Sequence, residues 1–305
     1  MYCSFMSESS PFIRDLVHRL DFLSQRSRGS KWQKFSRSPL RMATSVAMAF
    51  LLRQGRWPWK IRARTFWRGR MTVVIPEYVS MAIYRYGFFE EELTWAILYL
   101  LKPGMTFIDI GAHFGYFTLL SSLLVSDRGQ VHSFEPTPSS FRILSHNVKG
   151  KKNIRLQQKA VFSENTTVCL NDYGIKYAAS NSIYEPRLSP EHRARLIAKR
   201  CWIPSVTFDT YLSETAIRPD FIKIDAESAE MEILKGMEKT LREFHPILSL
   251  EVGGYQVDGA AKVNQLIYHL EKRGYKAFRI AKKEFRAAPE SSWWAEDENL
   301  IFIAK

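Results

Sequence analysis

Asp109, Gly111, His113, Gly115 and Glu135 have the types and spacing needed to hold a nucleotide-like ligand. The apolar run Met105–Ile110 leads into the turn Gly111-Ala-His-Phe-Gly115. That turn opens a helical stretch carrying Phe117, Leu119, Leu120, Leu123 and Leu124. Glycine enters positive φ and lets backbone approach a ligand, while the N–H groups of a following helix attract polar or anionic groups. A second apolar run, Gln130–Phe134, ends at Glu135, a carboxylate suited to the two hydroxyls of a ribose. Strand, glycine turn, helix, strand and acid outline a nucleotide-cofactor site in an α/β domain. A dinucleotide fingerprint has a middle glycine where His113 stands, so the pattern argues against NAD and for a smaller adenosyl ligand. A plain strand-to-helix turn is the competing reading. In it Asp109 caps backbone N–H groups, Glu135 is a solvated acid and His113 is a positioning or surface residue.

Asp225 and Glu227 follow the apolar run Phe221–Ile224, and Glu251 follows Ile247–Leu250. Acids at strand ends can accept a proton from a reacting hydroxyl. They can equally stabilise the next helix, since Glu230 and Glu232 crowd its start. No ligand spacing calls for a metal, and none is expected. Asn181 and Ser182 are weaker candidates for lining an acceptor pocket. Arg187, Arg193, Arg195, Lys199 and Arg200 suit either an anionic acceptor or a solvated helix face. Cys3, Cys169 and Cys201 are too scattered for a disulfide framework or zinc site and read as reduced thiols.

From Met105 onward the chain alternates strand and helix. The expected strands are 105–110, 130–134, 154–162, 221–224, 247–250, 275–281 and 300–303. This predicts an α/β, doubly wound, mostly parallel sheet of seven strands, with its site at the strand carboxyl ends. Before it, Ile61–Trp67 and Met71–Ile75 read as the two strands of a hairpin around Arg68-Gly69-Arg70. Glu90 to Leu100 reads as a helix with acids in its first turn.

Residues 1–57 form a separate basic extension, partly helical, with a helix-like segment at 12–23 and a second apolar segment at 40–52; residues 58–305 form the main domain. Residues 1–70 hold fifteen Lys/Arg against Glu8, Asp15 and Asp21, while 71–305 hold 29 basic and 28 acidic residues. The excess charge therefore belongs to the extension. With Trp32, Trp57, Trp59 and Trp67 it suits an anionic membrane surface or, alternatively, RNA. It suits a solvated face equally well. No stretch of about 18 apolar residues occurs, so no transmembrane helix is expected. A cytoplasmic protein follows, with peripheral attachment at the inner membrane face as one reading of the extension.

The chain resembles FkbM-type methyltransferases. The matching segments are Lys102-Pro-Gly104, Phe107–Thr118, Phe134-Glu-Pro136, Asn147-Val148, Ala160-Val161, Val206–Asp209, Phe221–Glu230 and Ile233-Leu-Lys-Gly236. The resemblance implies the methyltransferase sheet and S-adenosyl-L-methionine as cofactor, held by Asp109, Gly111, His113, Gly115, Glu135 and Asp225. It also implies transfer to a hydroxyl of a sugar, glycoconjugate or other metabolite, with Asp225, Glu227 or Glu251 serving the acceptor. The rival readings are an RNA methyltransferase and a non-catalytic cofactor-binding adaptor. Three positions depart from the family: His113 where Asn is common, Ser228 where Gly is usual, and Val252-Gly253-Gly254 after Glu251.

Overall fold

The computed structural model describes residues 10–29, 36, 43–44, 58–184, 198–252, 261–281, 283–288 and 298–305. The chain divides into two compact units, residues 1–100 with 175–179, and residues 101–174 with 180–305.

In the first unit, Ser10 caps helix α1 (Pro11–Ser27) by accepting from Ile13 N, and Pro11 takes the first helical position. Leu16, Val17 and Leu20 form its buried stripe. Strands β1 (Trp59–Arg64) and β2 (Arg70–Ile75) make the expected antiparallel hairpin, with Trp67 in the turn rather than in a strand. Helix α2 (Tyr78–Tyr86) is an addition to the sequence expectation. Both oxygens of Glu77 accept from its first-turn N–H groups, at Val79 and Ser80. Helix α3 (Glu91–Leu100) starts on its acids as expected. Most of the apolar segment 40–52, together with Trp32 and Trp57, lies outside the described residues.

The second unit carries the large sheet. Its strands are β3 (Thr106–Ile110), β4 (Gln130–Phe134), β5 (Ile154–Gln157), β9 (Phe221–Ile224), β10 (Ile247–Val252), β11 (Tyr275–Ala281), β12 (Glu284–Ala287) and β13 (Glu298–Ala304), in the order β12-β11-β13-β10-β9-β3-β4-β5. The run β10-β9-β3-β4-β5 is parallel; β13, β11 and β12 are antiparallel. The sheet thus has eight strands rather than the expected seven. The extra one, β12, is a short edge strand returning antiparallel along β11.

The expected strand 154–162 is two strands in different sheets. After β5 the chain leaves the large sheet, and β6 (Ala160–Val161) pairs with β8 (Lys199–Val206), which also pairs with β7 (Thr167–Asp172). Much of the region read as irregular is therefore a three-stranded sheet. Cys169 faces Trp202 and Leu170 faces Cys201 in that register, which sets the two thiols on opposite sides of the ladder.

Helices α4 (Tyr116–Val125), α5 (Pro138–Asn147), α6 (Phe208–Thr215), α7 (Glu230–Lys235), α8 (Glu238–Phe244) and α9 (Val263–Glu271) connect the strands. The single helix expected after β9 is two, broken at Gly236-Met237. Ile222, Ile224, Leu248 and Leu250 form a core with Phe208, Leu234, Met237 and Leu241 from the helices. Each such side chain contributes about 1.5–3 kcal/mol by burial.

Strand β3 lies between β4 and β9, so successive connections leave it in opposite directions and part at its carboxyl end. Gly111 closes that end at φ 80. A Cβ there would stand 1.8 Å from the Asp225 carbonyl oxygen. The glycine serves close approach of two backbones, whatever ligand the turn holds. Gly111→Ala should therefore lower unfolding free energy by about 2–3 kcal/mol in urea titration. A loss under about 0.5 kcal/mol would show that these strand ends part freely.

Candidate active site

Side chains alternate along a strand, so residues two apart share a face. Ser133, Asp109, Lys223 and Ser249 are register partners across β4, β3, β9 and β10. Two residues further along each strand come Glu135, Gly111, Asp225 and Glu251. One polar row thus lies inside the sheet, and a second lies above it at the carboxyl ends.

The lower row is fully enclosed. Asp109, Ser133 and Ser249 are 0% exposed and Lys223 is 1% exposed. Thr118, on α4, donates its hydroxyl to Asp109 Oδ2 at 2.6 Å and lies 2.9 Å from Ser133 Oγ. The Lys223 ammonium stands 3.0 Å from Asp225 Oδ2 and 3.7 Å from Asp109 Oδ1, with its charge 5.2 Å from the centre of the Phe117 ring. Burial pushes the Asp109 carboxyl up, with Lys223 and Thr118 opposing. Burial also works against ionised Asp225, but Lys223, a hydrogen bond with Glu251 and the charge of His113 outweigh it and leave its pKa below the usual carboxylate value. One cation thereby holds Asp225 ionised at the mouth of the site.

The upper row meets the glycine turn. Gly111 N and Ala112 N both donate to Phe134 O at 3.0 Å, which ties the turn to the end of β4. Glu135 Oε2 accepts from His113 N at 2.8 Å, and Oε1 accepts from Thr137 N at 2.9 Å. Burial pushes the Glu135 carboxyl up to about 7 against the pull of these bonds. His113 adopts φ 50, and its ring stacks on Phe114 at 3.8 Å between centroids. Gly115 caps α4 at φ 91 without a side-chain bond, so the positive end of the helix faces the turn.

These features fit an adenosyl cofactor. Asp109 Oδ1 is buried, with the Lys223 ammonium 3.7 Å away. The turn lacks a Cβ at Gly111, and the Glu135 carboxylate, oriented by the amides of His113 and Thr137 and by the Thr137 side chain, keeps acceptor capacity for a hydroxyl. The residues expected to hold the methionine end and the ribose therefore converge on one turn.

On the other side of β3, Asp225, Glu227 and Glu251 bring a carboxylate oxygen each to within 4.8 Å of one another. Strand spacing alone does not give this cluster. It forms because the chain reverses after Asp225, with Glu227 at φ 48 and Ser228 at φ 81. Glu230 belongs to the frame instead: its Oε1 accepts from Ala226 N and Ser228 N, both at 3.2 Å, and burial pushes its carboxyl up to about 7. Glu232 pairs with Lys235 and Ser163, each at 2.6 Å. Ser182 Oγ donates to the Glu227 carbonyl at 2.6 Å, and Asn181 Nδ2 reaches Thr137 Oγ1 at 3.4 Å. The pair thus borders both the acid cluster and the Glu135 turn. Arg187, Arg193 and Arg195 lie outside the described residues, as do Gly253 and Gly254. Lys223, Thr118 and Ser133 carry no expected role in the sequence reading. The signal for Lys223 and Ser133 is the two-residue offset from Asp225 and Glu135, whereas Thr118 lies on α4 and has no such signal.

A family model, the methyltransferase FkbM domain, matches residues 109–277. No curated protein matches the chain. Similar solved structures include an FkbM methyltransferase from Methylobacillus flagellatus KT, at 17% identity and TM-score 0.41, covering 73% of this chain and 52% of that one. The chain therefore matches about half the length of that protein. A putative rRNA-methylase from Clostridium thermocellum is similar at 11% identity and TM-score 0.41, covering 70% of this chain and 93% of that one. Aeropyrum pernix fibrillarin, in complex with S-adenosyl-L-methionine, is similar at 13% identity and TM-score 0.42, covering 70% of this chain and 74% of that one.

Two outcomes follow from this geometry. Ribose hydroxyls donate to the ionised form of Glu135, so affinity for S-adenosylmethionine should climb as pH rises through about 7 and level off above it. Calorimetry of Glu135→Gln should give a weaker and flat profile, and Glu135→Ala should lose about tenfold or more, as for roughly 1.5–3 kcal/mol of charged hydrogen bonding. Wild-type affinity in both variants would remove Glu135 from the site. Separately, Ser228→Gly should raise unfolding free energy by about 1 kcal/mol, because Ser228 occupies the left-handed region. An unchanged or lower denaturation midpoint would show that the strain is relieved elsewhere.

Proposed function

The chain belongs to the FkbM methyltransferase family, and on that premise we propose that it methylates a hydroxyl of a sugar, glycoconjugate or other metabolite. It is an S-adenosylmethionine-dependent methyltransferase. The observation that carries the hydroxyl reading is the acid cluster Asp225–Glu227–Glu251, set beside the turn that fits the cofactor. When bound, S-adenosylmethionine supplies an electrophilic methyl group on a sulfonium.

An alcohol is a weak nucleophile and gains from an acceptor for its proton as it attacks. Asp225 is held ionised by Lys223, which makes it a hydrogen-bond acceptor that orients the hydroxyl. Glu227, on the reversal beyond it, takes the proton, and Glu251 hydrogen-bonds Asp225 and fixes its direction. Gly111, His113, Gly115 and Glu135 would hold the cofactor, with Asp109 beneath the turn tied to Thr118 and Lys223. Most of the acceleration comes from bringing the two reactants together in line. The acids work as proton and hydrogen-bond acceptors, with no metal step.

The alternative acceptor is RNA, favoured by the fifteen basic residues among the first seventy. Incubation with labelled methyl donor and fractionated cell extract separates the two: label should enter a glycan, glycolipid or small-molecule fraction. Label in a ribonuclease-sensitive fraction would overturn the proposal, and full cofactor binding with no labelled fraction would favour an adaptor. On the fraction that labels, Asp225→Asn and Glu227→Gln should each lose at least about tenfold in transfer; Glu227→Gln should keep the stability of the wild type, while Asp225→Asn, which takes a partner from buried Lys223, should unfold at lower urea. Turnover should survive EDTA; its loss would give the three carboxylates to a divalent cation. Near-normal transfer in both variants would pass the proton-accepting role to Glu251 or His113.

A further inference from the structure

The hairpin of the first unit has an uneven charge distribution. Strand β1 alternates Lys60, Arg62 and Arg64, all exposed on one face, and Arg64 stands directly opposite Arg70 in the antiparallel register. Like charges placed opposite each other across a ladder are destabilising. Arg68 follows in the turn at φ 65, a conformation that also costs energy for a non-glycine residue. The fold thus spends stability to gather cations at one end of the hairpin.

Beside that end is an open-sided pocket of about 360 Å³. Arg64 and Arg68 line it from the hairpin, His18 and Arg19 from α1, with Phe22 and Phe66 as its apolar surface. No acid is among the lining residues. Arg19 is paired with Asp15 at 2.7 Å, while Arg64 and Arg68 have no acidic partner among the described residues. Phe66 is 2% exposed and forms a firm floor, whereas Phe22 is 58% exposed at the rim. Arg26 lies 5.2 Å over the Phe22 ring and adds a further cation there. Trp59, at the start of β1, is 51% exposed.

We propose that this pocket binds an anionic phospholipid, with the phosphate on Arg64 and Arg68 and the glycerol and first acyl carbons against Phe22 and Phe66. Guanidinium groups bind phosphate by paired hydrogen bonds. A phosphate on Arg64 also offsets the repulsion that Arg70 exerts on it across the ladder. The volume is that of a small-ligand site. The apolar wall favours lipid over RNA, whose backbone offers no alkyl chain to cover it. Exposed Phe22 and Trp59 sit as aromatic side chains do at a membrane interface. The site is independent of the cofactor turn and of the methyl acceptor, so it stands or falls apart from the proposed reaction.

The test uses the full chain and dioctanoyl phosphatidic acid below its micelle concentration. Monomeric lipid avoids the surface potential that attracts any basic protein. Calorimetry should show one-to-one binding, lost at least tenfold in Arg64→Ala/Arg68→Ala and several-fold in Phe22→Ala, an exposed position that folding does not need. Lys60→Ala/Arg62→Ala changes the charge equally, outside the pocket, and should leave monomer binding within about twofold. An unchanged urea unfolding midpoint in each variant verifies the fold. Vesicles of phosphatidylcholine with one quarter phosphatidic acid should sediment the wild type, and free dioctanoyl lipid should release it if the bilayer headgroup uses the same pocket. Failure to bind the monomer, equal losses in the two double variants, or tighter binding of an oligoribonucleotide would each overturn the proposal.

Discussion

Lys223 brings its ammonium group into the sheet where only 1% of the residue remains exposed. A buried cation is tolerable only when paired, and removing one partner of such a group costs several kcal/mol. Its partners come from two strands: Asp109 beside it on β3, and Asp225 two residues further along β9. Much of the site's arrangement rests on this charge balance. Asp225 is drawn over the end of β9, its backbone carbonyl presses against Gly111, and the glycine turn takes the only residue that fits there. Thr118 completes the row by donating to the second oxygen of Asp109, and its hydroxyl is in turn paired with that of Ser133.

The same row separates two chemical environments on one face of the sheet. Toward the strand carboxyl ends, Glu135 and the turn backbone offer acceptors and donors for a cofactor. On the other side of β3, three carboxylates gather around the position an acceptor would take. Glu135 and Glu230 both have carboxyls pushed up to about 7, yet their geometry gives them different work. Glu135 ties β4 to the turn, and Glu230 pins the loop that carries Glu227. The left-handed residues Glu227 and Ser228 are the cost of reversing the chain so soon after β9. A position where the family usually has glycine is occupied here by a side chain under strain.

The first unit follows another rule. Its helices and hairpin bury ordinary apolar stripes, but its outer surface collects cations that do not neutralise one another. Cross-strand Arg64 and Arg70, with Arg68 beside them, oppose hairpin stability. The electrostatics of the chain are therefore split: paired charges inside the second unit, and surplus positive charge on the hairpin.

The sequence by itself determined the alternation of strand and helix, the turn Gly111–Gly115, the acid after β4 and the acid pair after β9. Each is a local pattern, set by two- and 3.6-residue periods and by residues that only certain backbone conformations accept. It also located the surplus charge. Tertiary structure decided what local pattern cannot express. The run 154–162 reads as one strand, but its two ends meet different partners, so it divides between two sheets. The edge strand β12 is short and pairs only because β11 offers an open side. Helix α2 starts on Glu77, an acid whose capping role depends on the chain turning there. Above all, Lys223 sits in an apolar run as an ordinary charged residue would, and nothing within that run names its partners. Asp109 lies more than a hundred residues earlier, and Coulomb pairing acts through space, so only strand order and register could show that one buried lysine holds both acids in place.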